Sequence, residues 1–519
     1  MAETFAELVA AEDVLLFVNA AVTATGQREF RSGQREQRLS LGFLHDYVRV
    51  NYRPVYAATL ALDINDHNAC LIIEQLLRTA REATPGEKRT EGRLIAARLA
   101  SLPPQRVYRL LRALRTAGVG NRRTRAIVRD WLAARPDPAY DAVKYRAGLK
   151  DAARHFHLPL AAHPPAAPPP ASPTPASPTP ASPRDGELGD FLFAPGRRKR
   201  YAHPLLDAHR RAHFEQGALY ELPFTAAEGF AARHGIAREV FLARMAPRMT
   251  RLERLRTQNR TQPRNQSRGR TDLAVMPLTR LALYVLSLPR AERAGRRAEL
   301  TGALRAAARR AAGPYAGTWG RVAAVLDDSY SSSGSGEKRR RPLATALACG
   351  YLLEALAAPG AYAPHWTSGG TDALLVAPYG PTPLGGRILD ALEGAPERLV
   401  IVSDGWDNAP PGLAGEVLRV WRTRLDREHR TAVTHLNPVY DADAFDVRRL
   451  TPGVPTAGIR DAEDLPALVE IARFAEGRSD PAELRAYLDG RVRRFLAEAE
   501  TEAEAAEEVR RCPGSISTG

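Results

Sequence analysis

Cysteine is nearly absent from this chain of 519 residues: Cys70, Cys349 and Cys512 are the only three, far apart and odd in number. That excludes a disulfide framework and any cysteine-based zinc or iron–sulfur centre, and it points to inert thiols. Long apolar runs are missing too. The longest, such as Leu281–Leu288, fall well short of the roughly 18 residues that a membrane span needs, and the first residues lack the basic, apolar and small-residue order of a signal peptide. The expectation is a soluble, cytoplasmic protein with no membrane partner. The usual catalytic signatures are lacking as well. His209 and His213 stand four apart near His203 but without a paired glutamate, Gly334-Ser-Gly-Glu-Lys338 lacks the spacing of a phosphate-binding loop, and no nucleophile elbow occurs. The chain reads as a non-enzyme.

What the chain has in excess is positive charge: 74 Lys+Arg against 59 Asp+Glu, a formal net of +15. The distribution says more than the total. Residues 1–190 carry +6, residues 191–320 carry +16 and residues 321–519 carry −7. A uniform compositional bias toward arginine would not leave the last block acidic. A content of 44% hydrophobic and 26% charged residues excludes wholesale disorder, and the length implies roughly two to four domains.

The pattern predicts a multidomain chain: an all-α helical-repeat region followed by a doubly wound α/β domain. Residues 1–157 read as helices. Val107, Leu110, Leu111 and Leu114 recur at helical spacing between Pro103-Pro104 and Gly118, with Arg106, Arg109, Arg112 and Arg115 on the other face. Residues 158–187 collapse to Pro, Ala and Ser, the composition of a spacer or exposed loop. A basic helical region over 188–313 continues the array, and within it Arg244–Arg270 holds nine arginines against one acid, Glu253. From 314 to 478 strands alternate with helices: Arg321–Leu326, Ala373–Ala377, Arg398–Val402 and Ala432–Leu436 read as strands, and Pro342–Leu356, Leu384–Leu392 and Ala414–Asp426 as helices. An acidic helix over 479–511 closes the sequence.

Two strand ends in the α/β domain carry chemistry. Val325-Leu-Asp-Asp-Ser-Tyr-Ser331 gives an Asp-x-Ser-x-Ser spacing through Asp327, Ser329 and Ser331, and Leu399-Val-Ile-Val-Ser-Asp-Gly405 puts Asp404 where a strand emerges. Thr382, in Gly380-Pro-Thr-Pro-Leu-Gly385, precedes a helix; Thr371 competes with it, but a strand is expected to follow that residue. Carboxylates and hydroxyls on separate loops, without His or Cys, suit Mg²⁺ or another hard divalent cation. These motifs, in this order, resemble the metal-ion-dependent adhesion site of the von Willebrand factor A domain. The resemblance implies that Asp327, Ser329, Ser331, Thr382 and Asp404 hold the ion directly or through water, leaving a position for an anionic oxygen of a partner. Loop capping by the two acids alone stays open as the alternative. Asp328 and the run Glu337-Lys-Arg-Arg-Arg341 depart from the pattern, and the latter is expected to set four cations beside the metal.

A helical array followed by such a domain resembles the Ro proteins, whose helical-repeat (TROVE) module binds small noncoding RNAs and misfolded RNA. Ala142-Val-Lys-Tyr-Arg146, continuing to His157, and Met276-Pro-Leu-Thr279 are similar to that family's short motifs. The resemblance implies an RNA partner. The residues point the same way, because arginines neutralise phosphates and stack on unpaired bases. The expected RNA-binding residues are Arg106, Arg109, Arg112, Arg122, Arg123, Arg125, Lys144 and Arg146, with Arg251, Arg254, Arg256, Arg260, Arg264, Arg268 and Arg270. Aromatics are sparse at 7%, which suits reading of shape and backbone over a base code. A second reading is a metal-dependent adaptor whose protein partner presents a carboxylate, such as a MoxR-type AAA ATPase or a stress or defence complex.

Overall fold

The computed structural model describes residues 2–158, 186–250, 253–254, 257, 273–465 and 481–511. Two compact units account for the chain: Met1–Ile72 with Asp272–Arg494, and Ile73–Thr271 with Phe495–Gly519. The sequence reading grouped the first 72 residues with the helical array; their packing puts them with the sheet. Among the described residues no helix is long and apolar enough to cross a membrane.

The first unit is built on a parallel sheet of β1 (Val322–Leu326), β2 (Tyr362–Trp366), β3 (Arg398–Val402), β4 (Ala432–Asn437) and β7 (Thr456–Gly458), in the order β2-β1-β3-β4-β7. A two-residue pair, β5 (Tyr440–Asp441) with β6 (Asp446–Val447), lies outside it. Along β1 the side chains alternate between two faces. Ala323 and Val325 join Leu399, Ile401 and Val433 in a core capped by Leu384, Ile388 and Leu392 of the helix Leu384–Glu393 and by Ala414, Val417 and Leu418 of the helix Leu413–Val420. Leu326 faces the other way, against the helix Arg341–Leu356. That helix approaches so closely at Gly350 that a Cβ there would stand 2.9 Å from Leu326 Cδ1. Full burial on both faces is what continuous runs such as Leu399-Val-Ile-Val402 call for.

The N-terminal helix, Ala2–Thr23, covers the β7 edge. Asn19 makes the join: its Nδ2 donates to Asp446 Oδ1 at 2.9 Å, and its Oδ1 accepts from the Gly458 backbone N–H at 2.9 Å. Burial pushes the Asp446 carboxyl above the usual range, and the Asn19 amide opposes that push. Asn19→Ala would therefore leave the buried Gly458 N–H without its acceptor and take from the buried Asp446 one of its three donors, leaving Val447 N–H and Arg449. We expect a loss of about 2–4 kcal/mol in denaturant unfolding, with Asn19→Asp at least as damaging because it faces Asp446 with a like charge.

The second unit is helical. The helix Pro104–Thr116 starts with proline in its first turn and buries Val107, Tyr108, Leu110, Leu111 and Leu114. Asn121 caps the next helix, Arg122–Ala133, by accepting from Thr124 N–H at 3.0 Å. Inside, Trp131 Nε1 donates to Leu99 O at 3.1 Å, and the buried Asp141 accepts from Tyr108 Oη at 3.1 Å and Arg135 Nε at 2.6 Å. One carboxylate, satisfied on both oxygens, thus ties the helix Pro104–Thr116 and its own helix, Pro138–Lys144, to Arg135, just past the end of the helix Arg122–Ala133.

Candidate metal site and nucleic-acid interface

The sheet order reverses direction between β1 and β3, so the connections leaving these neighbours pass to opposite faces and open a crevice at their carboxyl ends. Asp327 and Asp404 stand there. Asp327 Oδ1 accepts from Ser329 N–H at 2.8 Å, the Ser329 and Ser331 hydroxyl oxygens are 3.2 Å apart, and Asp404 Oδ1 accepts from Trp406 N–H at 3.0 Å. Burial, and then the Asp404 charge, push the Asp327 carboxyl above its usual range. Burial also raises Asp404, although the Ser331 hydroxyl, the Trp406 N–H, Arg31 and Arg448 pull it down. Thr382, 2% exposed, is drawn toward the Asp404 loop by its N–H, which donates to Asn408 Oδ1 at 2.7 Å; its hydroxyl makes no hydrogen bond among the described residues. Two desolvated carboxylates, Asp327 repelled by Asp404, with the Ser329 and Ser331 hydroxyls beside them are donors that a small divalent cation would satisfy. Among the described residues no three His, Cys, Asp or Glu side chains are placed to hold a metal.

Several details differ from the sequence reading. Ala373–Ala377 is no strand: Ala373–Leu375 is a 3-10 turn and Thr371 is exposed, whereas the strand beside β1 is β2, Tyr362–Trp366. The residue after it, Thr367, escaped notice. Its hydroxyl lies 2.8 Å from Asp328 Oδ1 and 3.2 Å from Asp327 Oδ1, and Ser368 adds its N–H and hydroxyl to Asp328 at 2.8 and 2.6 Å. Asp328 is thus consumed in joining the ends of β1 and β2. Nor do the four cations of 338–341 all gather at the metal position: Arg339 is exposed, and the other three are engaged elsewhere. Lys338 pairs with the buried Glu29, Arg340 donates to Leu286 O, and Arg341 pairs with Asp461 at 2.9 Å. The cations beside Asp404 are Arg31 and Arg448, which lack any sequence signal because they come from distant segments.

In the helical unit, Arg109 and Arg112 line an open groove of about 550 Å³ with Glu74, Arg78 and Thr116. Arg109, Arg122 and Arg125 are exposed, Arg106 is half-buried, and none of the four has an ion-pair partner among the described residues. Asp151 draws Arg112 at 3.8 Å and Arg115 at 3.1 Å. Arg123 is turned inward, to Glu91 Oε2 at 3.3 Å and Lys88 O at 2.9 Å. Arg254 donates to Met249 O at 3.0 Å. Arg251, Arg256, Arg260, Arg264, Arg268 and Arg270 lie outside the described residues. His209 packs its ring against Phe191, Phe230 and His213, and burial lowers it to about 4, as for a core histidine.

No family model and no curated protein matches this sequence. Among solved structures the chain is similar to the crystal structure of the Deinococcus radiodurans Ro (RSR) protein, with a TM-score of 0.50 over 90% of this chain and 100% of that one. The chain has the fold of a Ro protein. Sequence identity is 14%, so the likeness is one of architecture, helices and parallel sheet together. Both short motifs similar to those of the Ro family serve this fold internally. In the first, Lys144 donates to Tyr140 Oη at 2.8 Å, and Arg146 donates to Phe191 O at 2.8 Å while its guanidinium lies over the Phe191 ring. In the second, the Thr279 hydroxyl donates to Glu463 Oε2 and accepts from Ala462 N–H, both at 2.7 Å. Lys144 and Arg146, expected on an RNA surface, are packing residues in this chain's version of the Ro fold.

Proposed function

We propose that this chain is a non-catalytic RNA-binding protein that grips small noncoding or misfolded RNA on the basic faces of its helical unit, and that its α/β unit holds Mg²⁺. The observation that carries the RNA half is the set Arg106, Arg109, Arg122 and Arg125, on two consecutive helices with no ion-pair partner among the described residues, in a chain of Ro fold. Uncompensated guanidiniums on one scaffold release counterions from a phosphate backbone and fork onto its oxygens. For the second half, Asp327, Ser329, Ser331, Thr382 and Asp404 would hold the ion, which when bound supplies a Lewis-acidic position for an anionic oxygen. The residues would do the rest: the buried carboxylates would hold the cation and the hydroxyls would add further oxygen donors, while Asp328 keeps the two strand ends together.

Filter binding of a structured RNA across a salt series tests the first half. Replacing Arg109, Arg122 and Arg125 by Gln should lower the slope of log affinity against log salt by about 2–3 and weaken binding roughly tenfold or more. Replacing the seven arginines from Arg251 to Arg270 separately apportions the remaining charge. Wild-type binding that is micromolar or weaker and indifferent to salt would end the RNA reading.

A further inference from the structure

The strand-end crevice has surroundings that neither the metal nor the helical surface accounts for. Trp406, two residues beyond Asp404, has two cations over its ring: the Arg31 guanidinium carbon is 4.1 Å and that of Arg448 3.7 Å from its ring centroid, both within cation–π range. Both are exposed and neither has a carboxylate partner among the described residues beyond the field of Asp404. Asp407, the other acid of that loop, is turned away to the Ala414 N–H at 2.6 Å. Aromatic rings stand beside them. Phe30, next to Arg31, meets Tyr330 edge-on at 5.8 Å, and Tyr330 and Tyr379 are 64% and 77% exposed. Backbone pairing holds these two tyrosine loops together, Tyr330 N–H on Gly380 O at 3.0 Å and Tyr379 N–H on Asp328 O at 2.9 Å.

Charge counting narrows the ligand. A divalent cation would answer Asp327 and Asp404, Asp328 is held by Thr367 and Ser368 and Asp407 by the Ala414 N–H, and the two exposed guanidiniums at the mouth keep no carboxylate partner among the described residues. A partner's side-chain carboxylate carries one charge, uses one metal position and has nothing for the tyrosines to hold. A nucleotide offers phosphate oxygens to the cation and both arginines, and a base to an exposed ring; stacking of that kind is worth about 1–3 kcal/mol per base. We infer that the crevice binds a nucleotide unit of RNA, its phosphate against the metal position, Arg31 and Arg448, and its base on Tyr330 or Tyr379. This rests on the metal half of the proposed function and names the ligand of that site.

The test uses the full chain and adenosine 5′-monophosphate as probe, followed by calorimetry and tryptophan fluorescence in Mg²⁺ and in chelator. Saturable binding that needs Mg²⁺ is expected, with adenosine and acetate at least about tenfold weaker. Arg31→Gln with Arg448→Gln should weaken the nucleotide about tenfold or more while Mg²⁺ alone still raises the melting temperature. Tyr330→Ala with Tyr379→Ala should erase the preference for the nucleotide over inorganic phosphate. Acetate or a short acidic peptide binding as tightly as the nucleotide would overturn the inference in favour of a protein ligand, and so would nucleotide binding that the double arginine variant leaves intact. RNA binding lost on replacing Arg109, Arg122 and Arg125, with no nucleotide bound at the crevice, would sink this inference and leave the RNA reading standing. Failure of Mg²⁺ itself to bind would end the inference together with the metal half.

Discussion

Asp327→Asn should make the metal-free protein more stable than the wild type, by about 2–4 kcal/mol at neutral pH, and should abolish stabilisation by Mg²⁺. Asp327 is 4% exposed and its charge faces that of Asp404, so ionisation in the folded chain is opposed by both burial and repulsion. An acid whose folded pKa lies above its unfolded value binds its proton more tightly in the native state. Its stabilising contribution is therefore present at low pH and is lost as pH rises from about 4, where an exposed carboxylate titrates, through the raised native value. Asparagine keeps the acceptor for Ser329 N–H and turns a donor toward Asp404, which removes the penalty. Mg²⁺ removes it in the wild type by another route, so its stabilising effect should grow with pH over the same window. His435 acts in the opposite sense: it sits on Ser403, burial lowers it to about 4, and its stabilising contribution fades as pH falls from about 6.5 to about 4. Wild type and variant are therefore compared at each pH, in chelator and in Mg²⁺, by denaturant unfolding. A variant less stable than wild type in chelator at pH 7 would contradict the account.

The second large effect concerns Glu29 and Lys338. They form an ion pair with side chains 3% and 9% exposed, and burial pushes Glu29 up against the pull of Lys338. Lys338→Met should leave a buried, uncompensated acid and cost about 3–5 kcal/mol, whereas Lys338→Met with Glu29→Gln should recover most of the loss. The pair anchors the segment that carries Phe30 and Arg31, so the single variant should also weaken nucleotide binding at the crevice. Equal costs for single and double variants in a double-mutant cycle would show that the pair contributes packing alone.

Much of this was legible in the sequence, and the misses have physical reasons. β1, β3 and β4 are buried on both faces and show as continuous apolar runs, and the helix Pro104–Thr116 declares itself by one apolar stripe and its N-terminal prolines. β2 did not, because an edge strand tolerates Pro364 and exposed residues, so Tyr362-Ala-Pro-His-Trp366 looks like loop. β7 is three residues long, too short for any period to appear. Asp327, Ser329, Ser331, Thr382 and Asp404 were readable because each adjoins a strand end or helix start whose spacing survives in one dimension. Arg31, Thr367 and Arg448 were not, since nothing local relates them to Asp404. Charge was the poorest guide at single residues: Lys144, Arg146 and Arg123 count toward a basic block, yet the fold turns them onto backbone carbonyls, a tyrosine hydroxyl and a buried glutamate.

The bond between Asn19 and Asp446 spans 427 residues of sequence, and the larger part of the second unit, Ile73–Thr271, is encoded between its ends. On the ribosome, the apolar face of the N-terminal helix, with Val14, Leu15, Phe17 and Val18, emerges long before the strand it covers. At roughly 5–20 residues per second that interval is on the order of half a minute to a minute and a half. The part of the helical unit encoded in that interval, made of near neighbours in sequence, can fold within it; the sheet unit cannot. The cell must therefore keep a sticky N-terminus soluble while the middle of the chain is already native, and truncation anywhere before Gly458 leaves that helix without its partner.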